Sequence, residues 1–308
     1  MPHLRIVFAG TPAVAVPTLD RLAESAHEVV GVVTRPPAPL GRKRVLTPSP
    51  VAQAAERLGL PVIEAARLDA EATERIAALR PDLGVVVAYG GLVREPLLSM
   101  PAEGWINLHF SALPAWRGAA PVQRAIIAGD PELGASVFRL VPELDAGDVY
   151  ASRTRPVAPG ETAGLALESL AETEADLVLE VVDRIAAGTA VAVPQDGEPT
   201  FAPKLGLEDA RLDWSAPTRE VDARLRGVTP EPGAHTEVGG VRLKVLDAVP
   251  AGAVPGLAPG EVVMDGRRVV VGTGDGAVEL RRVQPAGRKA MGAADWWRGL
   301  GVERAEAR

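Results

Sequence analysis

The chain of 308 residues has no cysteine, only 4% aromatic residues and no long apolar run. Without cysteine, disulfide bonds and thiolate metal sites are excluded. No stretch reaches the roughly 20 apolar residues that a membrane-spanning helix needs, and the N-terminus lacks the pattern of a secretory signal. The remaining composition, with 47% hydrophobic and 24% charged residues, is typical of a folded globular protein. We therefore expect a cytoplasmic location.

Two phosphate-binding motifs are also missing. After the first predicted strand the chain reads Gly10-Thr11-Pro12-Ala13-Val14-Ala15, which lacks the second and third glycines of the dinucleotide fingerprint G-x-G-x-x-G. No P-loop sequence occurs either. A pyrophosphate could not approach the backbone here in the usual way, so the sequence argues against a nicotinamide-dependent dehydrogenase.

The formal net charge is -7. Cations and carboxylates balance from residue 208 onward, so the negative excess lies in the first 207 residues. An acidic chain is poorly suited to indiscriminate nucleic-acid binding. Any contact with a polyanion would have to be local.

Strands and helices alternate in the first part of the chain. The pattern predicts strands over 4–9, 29–34, 61–63 and 83–88, and helices over 14–25, 51–58, 70–79 and 165–187. Such alternation is typical of an α/β domain, here a Rossmann-like, doubly wound and mostly parallel sheet. The near-continuous apolar strands agree, because parallel strands are buried on both faces.

The pattern changes in the last third of the chain. Short predicted strands at 241–246, 260–264, 268–272 and 277–283 are separated by Gly and Asp turns, as in a small OB-like β-barrel. We predict a Rossmann-like domain over 1–189, a Pro- and Gly-rich linker over 190–207 and the barrel over 208–308. Residues 303–308 are expected to fray.

Two polar side chains interrupt an apolar run that ends in a Pro/Gly-rich loop. Asn107 and His109 are two residues apart, so in a strand they point to the same face. Asp145 follows the next strand-like run, 136–141, and we expect all three residues at neighbouring strand ends, where they could handle an oxyanion and a proton together. The alternative is structural, with Asn107 as a loop cap, His109 as a core histidine and Asp145 in a turn.

The residues around this cluster resemble the folate-dependent formyltransferases, and the longer motif resembles those that act on methionyl-tRNA. The similarity runs nearly end to end. The motifs that carry it are Phe8-Ala9-Gly10-Thr11-Pro12, Val87-Ala88-Tyr89-Gly90, Asn107-Leu108-His109, Ser111-Ala112-Leu113-Pro114, Trp116-Arg117-Gly118-Ala119-Ala120-Pro121-Val122-Gln123-Arg124 and Gln284-Pro285-Ala286-Gly287-Arg288-Lys289-Ala290-Met291.

The resemblance implies transfer of the formyl group of 10-formyltetrahydrofolate, a co-substrate, to the α-amino group of methionyl initiator tRNA for translation initiation. It implies Asn107, His109 and Asp145 as catalytic residues, and no metal. It also implies a reduced-folate pocket, whose residues would be Ser111, Ala112, Leu113, Pro114, Tyr89, Gly90 and Leu92. From the residues alone, an ordinary buried strand followed by a glycine turn explains 87–93 equally well.

A basic segment, 34–48, carries four cations and several prolines and has no acidic residue. Arg42, Lys43 and Arg44 are adjacent within it, and an extended cationic loop suits phosphate contacts. A solvated loop without a partner is the alternative. The resemblance implies that this loop reaches the acceptor stem of initiator tRNA, and we expect the cations Arg281, Arg282, Arg288 and Lys289 to be a further candidate contact.

Two other functions stay open at this point. One is formyl transfer to a small amine, such as an amino sugar or glycinamide ribonucleotide. The other is a non-catalytic tRNA-binding module on a former enzyme scaffold. The basic segment and the barrel favour tRNA over a small amine, and the presence of Asn107, His109 and Asp145 favours an enzyme. We expect a monomer without membrane association.

Overall fold

The computed structural model describes residues 3–41 and 44–308. Its first 202 residues alternate strands with helices, apart from a short β-hairpin and several two-residue strands. In chain order these elements are β1 (Arg5–Gly10), α1 (Val16–Ala23), β2 (Glu28–Thr34), β3 (Ala38–Leu40), β4 (Val45–Thr47), α2 (Pro50–Arg57), β5 (Val62–Glu64), α3 (Ala70–Ala78), β6 (Leu83–Val87), β7 (Trp105–His109), β8 (Arg117–Gly118), α4 (Pro121–Ala128), β9 (Glu132–Arg139), β10 (Val149–Pro156), α5 (Ala163–Ala186) and β11 (Phe201–Ala202).

The remaining residues form mainly short strands. In chain order these elements are α6 (Thr218–Gly227), β12 (His235–Val238), β13 (Val241–Pro250), β14 (Glu261–Asp265), β15 (Arg268–Gly272), β16 (Ala277–Pro285), β17 (Met291–Gly292), α7 (Ala293–Leu300) and β18 (Arg304–Glu306). No helix of the described residues is long and apolar enough to cross a membrane.

The described chain forms two compact units. The first contains the described residues up to Ala119, with Leu133–Arg155 and Leu167–Ala202. The second contains Ala120–Glu132, Pro156–Ala166 and Pro203–Arg308. These units interleave along the chain, whereas the sequence suggested three consecutive segments, 1–189, 190–207 and 208–308. Helical periodicity gave no sign that α4 belongs with the later residues.

The first unit is built on a seven-stranded sheet with the order β10-β9-β7-β6-β1-β2-β5. Five adjacent strands run parallel to one another, and they are β5, β2, β1, β6 and β7. The next strand, β9, runs antiparallel to β7. The predicted α/β fold with a mostly parallel sheet is confirmed. The segment 34–48, expected as an extended loop, instead contains the antiparallel pair β3–β4.

The second unit contains a nearly closed antiparallel barrel. Its strands follow the order β12-β13-β16-β15-β14-β18, and the edge closes where Val238 bridges to Ala307. Backbone hydrogen bonds between Glu237 and Arg308 complete this closure. The barrel was predicted correctly, but the expectation that residues 303–308 fray is wrong, because their backbone groups pair with strands on both sides.

Close packing beneath β7 places the strand that carries the polar pair. Gly84 lies opposite Trp105 in the β6–β7 register, and the Trp105 ring covers it. The Trp105 side chain is 1% exposed and its indole N–H donates to the Leu97 carbonyl oxygen at 2.9 Å. A Cβ at residue 84 would lie 2.1 Å from the ring, so only glycine fits.

Gly84→Ala is therefore expected to lower the free energy of unfolding by about 1–3 kcal/mol, the usual cost of overpacking a core. Urea denaturation of both proteins measures the difference. Gly299→Ala is the control, because no atom lies within 4 Å of its Cβ position and it lies in a helix. That variant should match or slightly exceed the parent's stability. Equal stability of Gly84→Ala and the parent would contradict the packing argument.

Candidate active site

β7 presents two polar side chains on the same face of the sheet. Asn107 lies between Val86 of β6 and Phe138 of β9, and His109 is the last residue of the strand. The alternation of side chains along a strand accounts for their shared face. Beyond His109 the chain enters the loop 110–116, which turns back on the strand end.

The His109 ring is held in one orientation. Its Nε2 donates to the carbonyl oxygen of Trp116 at 2.9 Å, and its Nδ1 lies 3.9 Å from Oδ2 of Asp145. The ring packs edge-on against Phe138, with ring centroids 6.3 Å apart. Because a carbonyl oxygen only accepts, Nε2 carries the proton in the neutral ring, and the lone pair of Nδ1 faces the Asp145 side.

The environment of His109 favours its neutral form. The side chain is almost wholly buried, and burial lowers its pKa because the charged form loses solvation. The Asp145 carboxylate and the hydrogen bond to Trp116 act in the opposite direction and raise the pKa in part. His109 can therefore accept a proton on Nδ1, and Asp145 stabilises the resulting imidazolium.

Asp145 reaches His109 from a loop and not from an adjacent strand end. β9 is antiparallel to β7, so its last residue, Arg139, pairs with Ile106 and lies away from His109. The expectation of neighbouring strand ends is thus wrong for Asp145, which returns to His109 through the loop 140–148. It has a left-handed backbone, with φ of 46°, and Oδ2 accepts from the Gly118 N–H at 2.8 Å.

The Asn107 amide makes no hydrogen bond within the described residues, and its Oδ1 is buried. An unpaired buried carbonyl oxygen costs about 1–3 kcal/mol. A loop cap would engage its side chain, so the geometry does not fit the structural alternative for Asn107. The residue is half-buried, and no described residue engages its amide, so the accessible part of that amide can bind another molecule.

The loop residues assigned to the folate pocket are internally braced. Ser111 is buried and its hydroxyl donates to the Ala115 carbonyl oxygen at 2.6 Å. Ser136 of β9 bridges the loop, since its hydroxyl donates to the Ser111 carbonyl oxygen at 2.8 Å and accepts from the Leu113 N–H at 3.1 Å. Ala112, Leu113 and Pro114 are half-buried. Together with Ala115 and Trp116, which are also half-buried, these three residues present the loop's accessible surface.

The second stretch assigned to the folate pocket, residues 89–92, contains both buried and exposed residues. Tyr89 is 1% exposed, and its hydroxyl donates to the Ala65 carbonyl oxygen at 2.8 Å. Its burial raises the pKa of the phenol. The ring of Tyr89 is thus a core group, whereas Gly90 is exposed and Leu92 is 66% exposed. Thr11 donates to the Tyr89 carbonyl oxygen at 3.0 Å and ties this turn to the end of β1.

Of the three adjacent cations predicted to contact tRNA, Arg42 and Lys43 lie outside the described residues. Arg44 is exposed and follows the Gly41 turn, directly before β4. The hairpin strands also expose three apolar side chains, Leu40, Val45 and Leu46. In the second unit, all four candidate cations are exposed, and they are Arg281, Arg282, Arg288 and Lys289.

Sequence reasoning missed residues 193–202 as a part of the site. This stretch, here called the crossing segment, was predicted to be linker, but it pairs with the first unit at three places. Val193 bridges Val149, Thr200 bonds to the backbone of Trp116 and Arg117, and Gln195 bonds to Arg117 and the Asp145 loop. Its Pro- and Gly-rich composition resembles that of any loop, so no local signal distinguished it.

Two cavities of about 660 and 550 Å³ are lined by residues of the second unit alone. Neither contains a residue that the sequence assigned to catalysis or to folate. The larger one has a mainly apolar wall that includes Val241, Trp296 and Leu300. The catalytic and folate assignments therefore rest on the geometry around β7.

Solved structures with related folds include proteins that were crystallised with folates. HypX from Aquifex aeolicus in complex with tetrahydrofolic acid has a TM-score of 0.66 at 22% identity, covering 96% of this chain and 47% of that one. An N-formyltransferase from Helicobacter canadensis, in complex with folinic acid and dTDP-3-aminofucose, has a TM-score of 0.70 at 15% identity, covering 90% and 98%. At these identities the likeness establishes the fold.

Sequence relatives are much closer. The methionyl-tRNA formyltransferase of Leifsonia xyli is 62% identical over 302 residues, covering 97% of this chain and 99% of that protein. The one from Clavibacter sepedonicus is 60% identical over 297 residues, covering 96% and 97%. Family models for formyl transferase and for the formyl transferase C-terminal domain match residues 4–182 and 204–301. The chain belongs to the formyl transferase family, among the methionyl-tRNA formyltransferases.

Proposed function

We infer that this protein transfers the formyl group of 10-formyltetrahydrofolate to the α-amino group of methionine on initiator tRNA. Relatives between 52% and 62% identical are methionyl-tRNA formyltransferases. The observation that carries the mechanism is the unpaired Asn107 amide beside the buried His109–Asp145 pair. A protein that only bound tRNA would have no need for an unsatisfied amide next to a buried histidine and carboxylate.

The reaction passes through a tetrahedral intermediate on the formyl carbon. The methionine amine forms a C–N bond, and the carbonyl oxygen becomes an oxyanion that Asn107 stabilises by donating from Nδ2. Asn107 is half-buried at the end of the sheet beside His109. Its amide thus acts on the charge that develops on the formyl oxygen.

Proton transfer falls to His109 and Asp145. The amine loses a proton to Nδ1 of His109, and the imidazolium that forms is stabilised by the carboxylate 3.9 Å away. That proton is then delivered to N10 of the folate as the C–N10 bond breaks. The products are the formamide on the methionine and tetrahydrofolate, so no covalent enzyme intermediate and no metal are required.

The folate subsite proposed here has two sides. We assign one side to Ala112, Leu113 and Pro114, which are half-buried, and the other side to Gly90 and Leu92, which are exposed. The hydroxyl groups of Ser111 and Tyr89 each donate to a backbone carbonyl oxygen, so these two residues brace the backbone of the subsite. A flat, mostly apolar slot with backbone donors and acceptors is what a pterin needs.

The tRNA contacts belong to this proposal as well. The cations of residues 42–44 come between β3 and β4 in the sequence, and Leu40 and Leu46 of these two strands are exposed. The translation substrate implies the cytoplasm. A monomer is sufficient for catalysis, because Asn107, His109 and Asp145 all come from one chain.

The direct experiment mixes purified protein with 10-formyltetrahydrofolate and methionyl initiator tRNA and follows the loss of the free α-amine. Formylation of the tRNA is expected. Parallel reactions offer an amino sugar nucleotide or glycinamide ribonucleotide as the acceptor. Faster formylation of either small amine than of the tRNA would overturn the assignment of the acceptor.

His109→Ala is expected to lower kcat by about 100-fold or more, because the proton acceptor in the transition state is lost. Folate binding, measured by fluorescence quenching or calorimetry, should change much less. His3→Ala is the matched control, since His3 is exposed and distant in sequence from the site. A kcat near that of the parent would remove His109 from the mechanism.

Asp145→Asn is expected to lower kcat and to move the acid limb of the pH–rate profile to lower pH. The Asp145 charge raises the pKa of His109, so its removal lets burial lower that pKa further. Since protonation of His109 abolishes the base, the limb follows this pKa, which lies below the usual value of about 6.5. Steady-state rates between pH 4.5 and 8 test the shift, and a slower enzyme with an unchanged limb would reduce Asp145 to a structural role.

Replacing Arg42, Lys43 and Arg44 together by Gln is expected to flatten the salt dependence of tRNA binding by up to about three phosphate contacts. Filter binding over a range of KCl concentrations gives the slope. Folate binding and thermal stability should stay close to the parent. The control Arg67→Gln/Arg75→Gln removes exposed cations elsewhere in the first unit. The change in salt-dependence slope is divided by the number of cations removed in each variant. Equal values for the two variants would show that residues 42–44 make no specific contact with tRNA.

A further inference from the structure

The loop that carries Asp145, residues 140–148, is closed at its base, where the Arg139 N–H donates to the Asp148 carbonyl oxygen. Asp145 itself has a left-handed φ, which is uncommon for a residue with a side chain, although Asp adopts it more readily than most. Asp145 is only partly buried, and the preceding Leu144 is 54% exposed. Contacts from outside the loop therefore contribute to the distance of 3.9 Å between its carboxylate and His109.

One side chain supplies such contacts from both of its polar atoms. Nε2 of Gln195 donates to the carbonyl oxygens of Asp145 and Gly147, each at 2.8 Å. Its Oε1 accepts from Nε and from a terminal nitrogen of Arg117, at 3.1 and 2.6 Å. This one amide spans the Asp145 loop and the strand β8.

The two segments that Gln195 joins both contact the His109–Asp145 pair. Arg117 is followed by Gly118, whose N–H donates to the Asp145 carboxylate, and preceded by Trp116, whose carbonyl oxygen holds His109. The crossing segment also fixes this stretch directly, because Thr200 accepts from the Trp116 and Arg117 N–H groups. A shift of the Asp145 loop relative to β8 would change the His109–Asp145 distance.

We propose that Gln195 is a positioning residue, which fixes the Asp145 loop against Arg117 and so keeps the Asp145 carboxylate beside His109. The proposal rests on the proposed function, since the pair it positions is the proton acceptor of that reaction. Gln195 touches neither His109 nor the Asp145 side chain. It acts through the two backbone carbonyls and the guanidinium.

Two substitutions separate the two halves of this contact. Gln195→Met keeps the length of the side chain and removes every hydrogen bond. Gln195→Glu keeps an acceptor for Arg117 but removes both donors to the loop carbonyls and places an oxygen against them. If Gln195 acts by holding the loop, both variants lose activity; if it only steadies Arg117, the glutamate variant stays close to the parent.

We expect both variants to lower kcat by about 10- to 100-fold, the scale expected for a small displacement of a reacting group, with smaller changes in KM for the folate. Val191→Glu, which adds a carboxylate at a 66% exposed position near the same segment, is the charge control and should retain the parent's rate. Thermal denaturation checks that each variant is folded. A parent-like kcat in Gln195→Glu would overturn the proposal.

A double-mutant cycle tests whether Gln195 works through Asp145. In the Asp145→Asn background, Gln195→Met should slow the enzyme little further, because the carboxylate that it positions is already gone. If the fold-losses in kcat of Gln195→Met and Asp145→Asn multiply in full in the double variant, Gln195 does not act through Asp145, and the proposal is contradicted.

The role of Gln195 can be tested without any substrate, so the result does not depend on whether methionyl-tRNA is the formyl acceptor. NMR titration of the His109 ring, assigned among the four histidines by the His109→Ala spectrum, reports the nearby carboxylate directly. Withdrawal of Asp145 in Gln195→Met should lower the pKa of His109 in the same direction as Asp145→Asn does. An unchanged His109 titration in Gln195→Met overturns the proposal whether or not the parent formylates methionyl-tRNA.

Discussion

The hydrogen bond from Nε2 of His109 to the Trp116 carbonyl oxygen determines what the rest of the site can do. It fixes the tautomer of the buried ring and directs Nδ1 toward Asp145. The acceptor in this bond is a backbone atom of the loop after β7, so the loop has to return to the strand end. Ser111, Ser136 and Thr200 each bond to that loop and hold the return in place. Loop geometry, more than strand geometry, thus brings His109 and Asp145 together.

This arrangement carries backbone strain at the places where function is proposed. Ala88, Trp116 and Asp145 all have positive φ, between 46° and 61°. A left-handed conformation costs a residue with a side chain roughly 1–2 kcal/mol. Hydrogen bonds offset this cost: the Trp116 N–H donates to the Thr200 hydroxyl oxygen, and Asp145 accepts from the Gly118 N–H and from Nε2 of Gln195. The strain is therefore retained only as long as the crossing segment stays bound to the loop.

The sequence predicted strands correctly wherever they are marked by a local pattern of apolar residues. Alternation at β7 placed Asn107 and His109 on one face, and the apolar runs located β1, β2 and β6 within one residue of their observed bounds. The barrel strands were recognised for the same reason. Motifs of several consecutive residues also led to the family, which the sequence relatives then established.

What the sequence did not reveal depends on partners that are distant along the chain. The antiparallel direction of β9 has no signature in its own apolar run. Gln195 gains its meaning from contacts 48 to 78 residues away. The last residues, 303–308, look like a polar tail, yet their backbone pairs with Glu237 and with β14. Hydrogen bonds of this kind are set by the assembled fold, so composition alone cannot show them.

The interleaving of the two units restricts how such a protein can exchange modules by recombination. Helix α4 belongs to the same unit as the barrel and packs on α6 so closely that a Cβ at Gly227 would lie 2.5 Å from the Ile127 side chain. A single crossover near Pro203 would deliver a barrel and α6 without the helix shaped to fit them. Grafting a foreign barrel onto this scaffold would need matched changes on α4, which lies in the sequence between two segments of the first unit. Inheritance of the two units as one block is the simplest way to keep that contact intact.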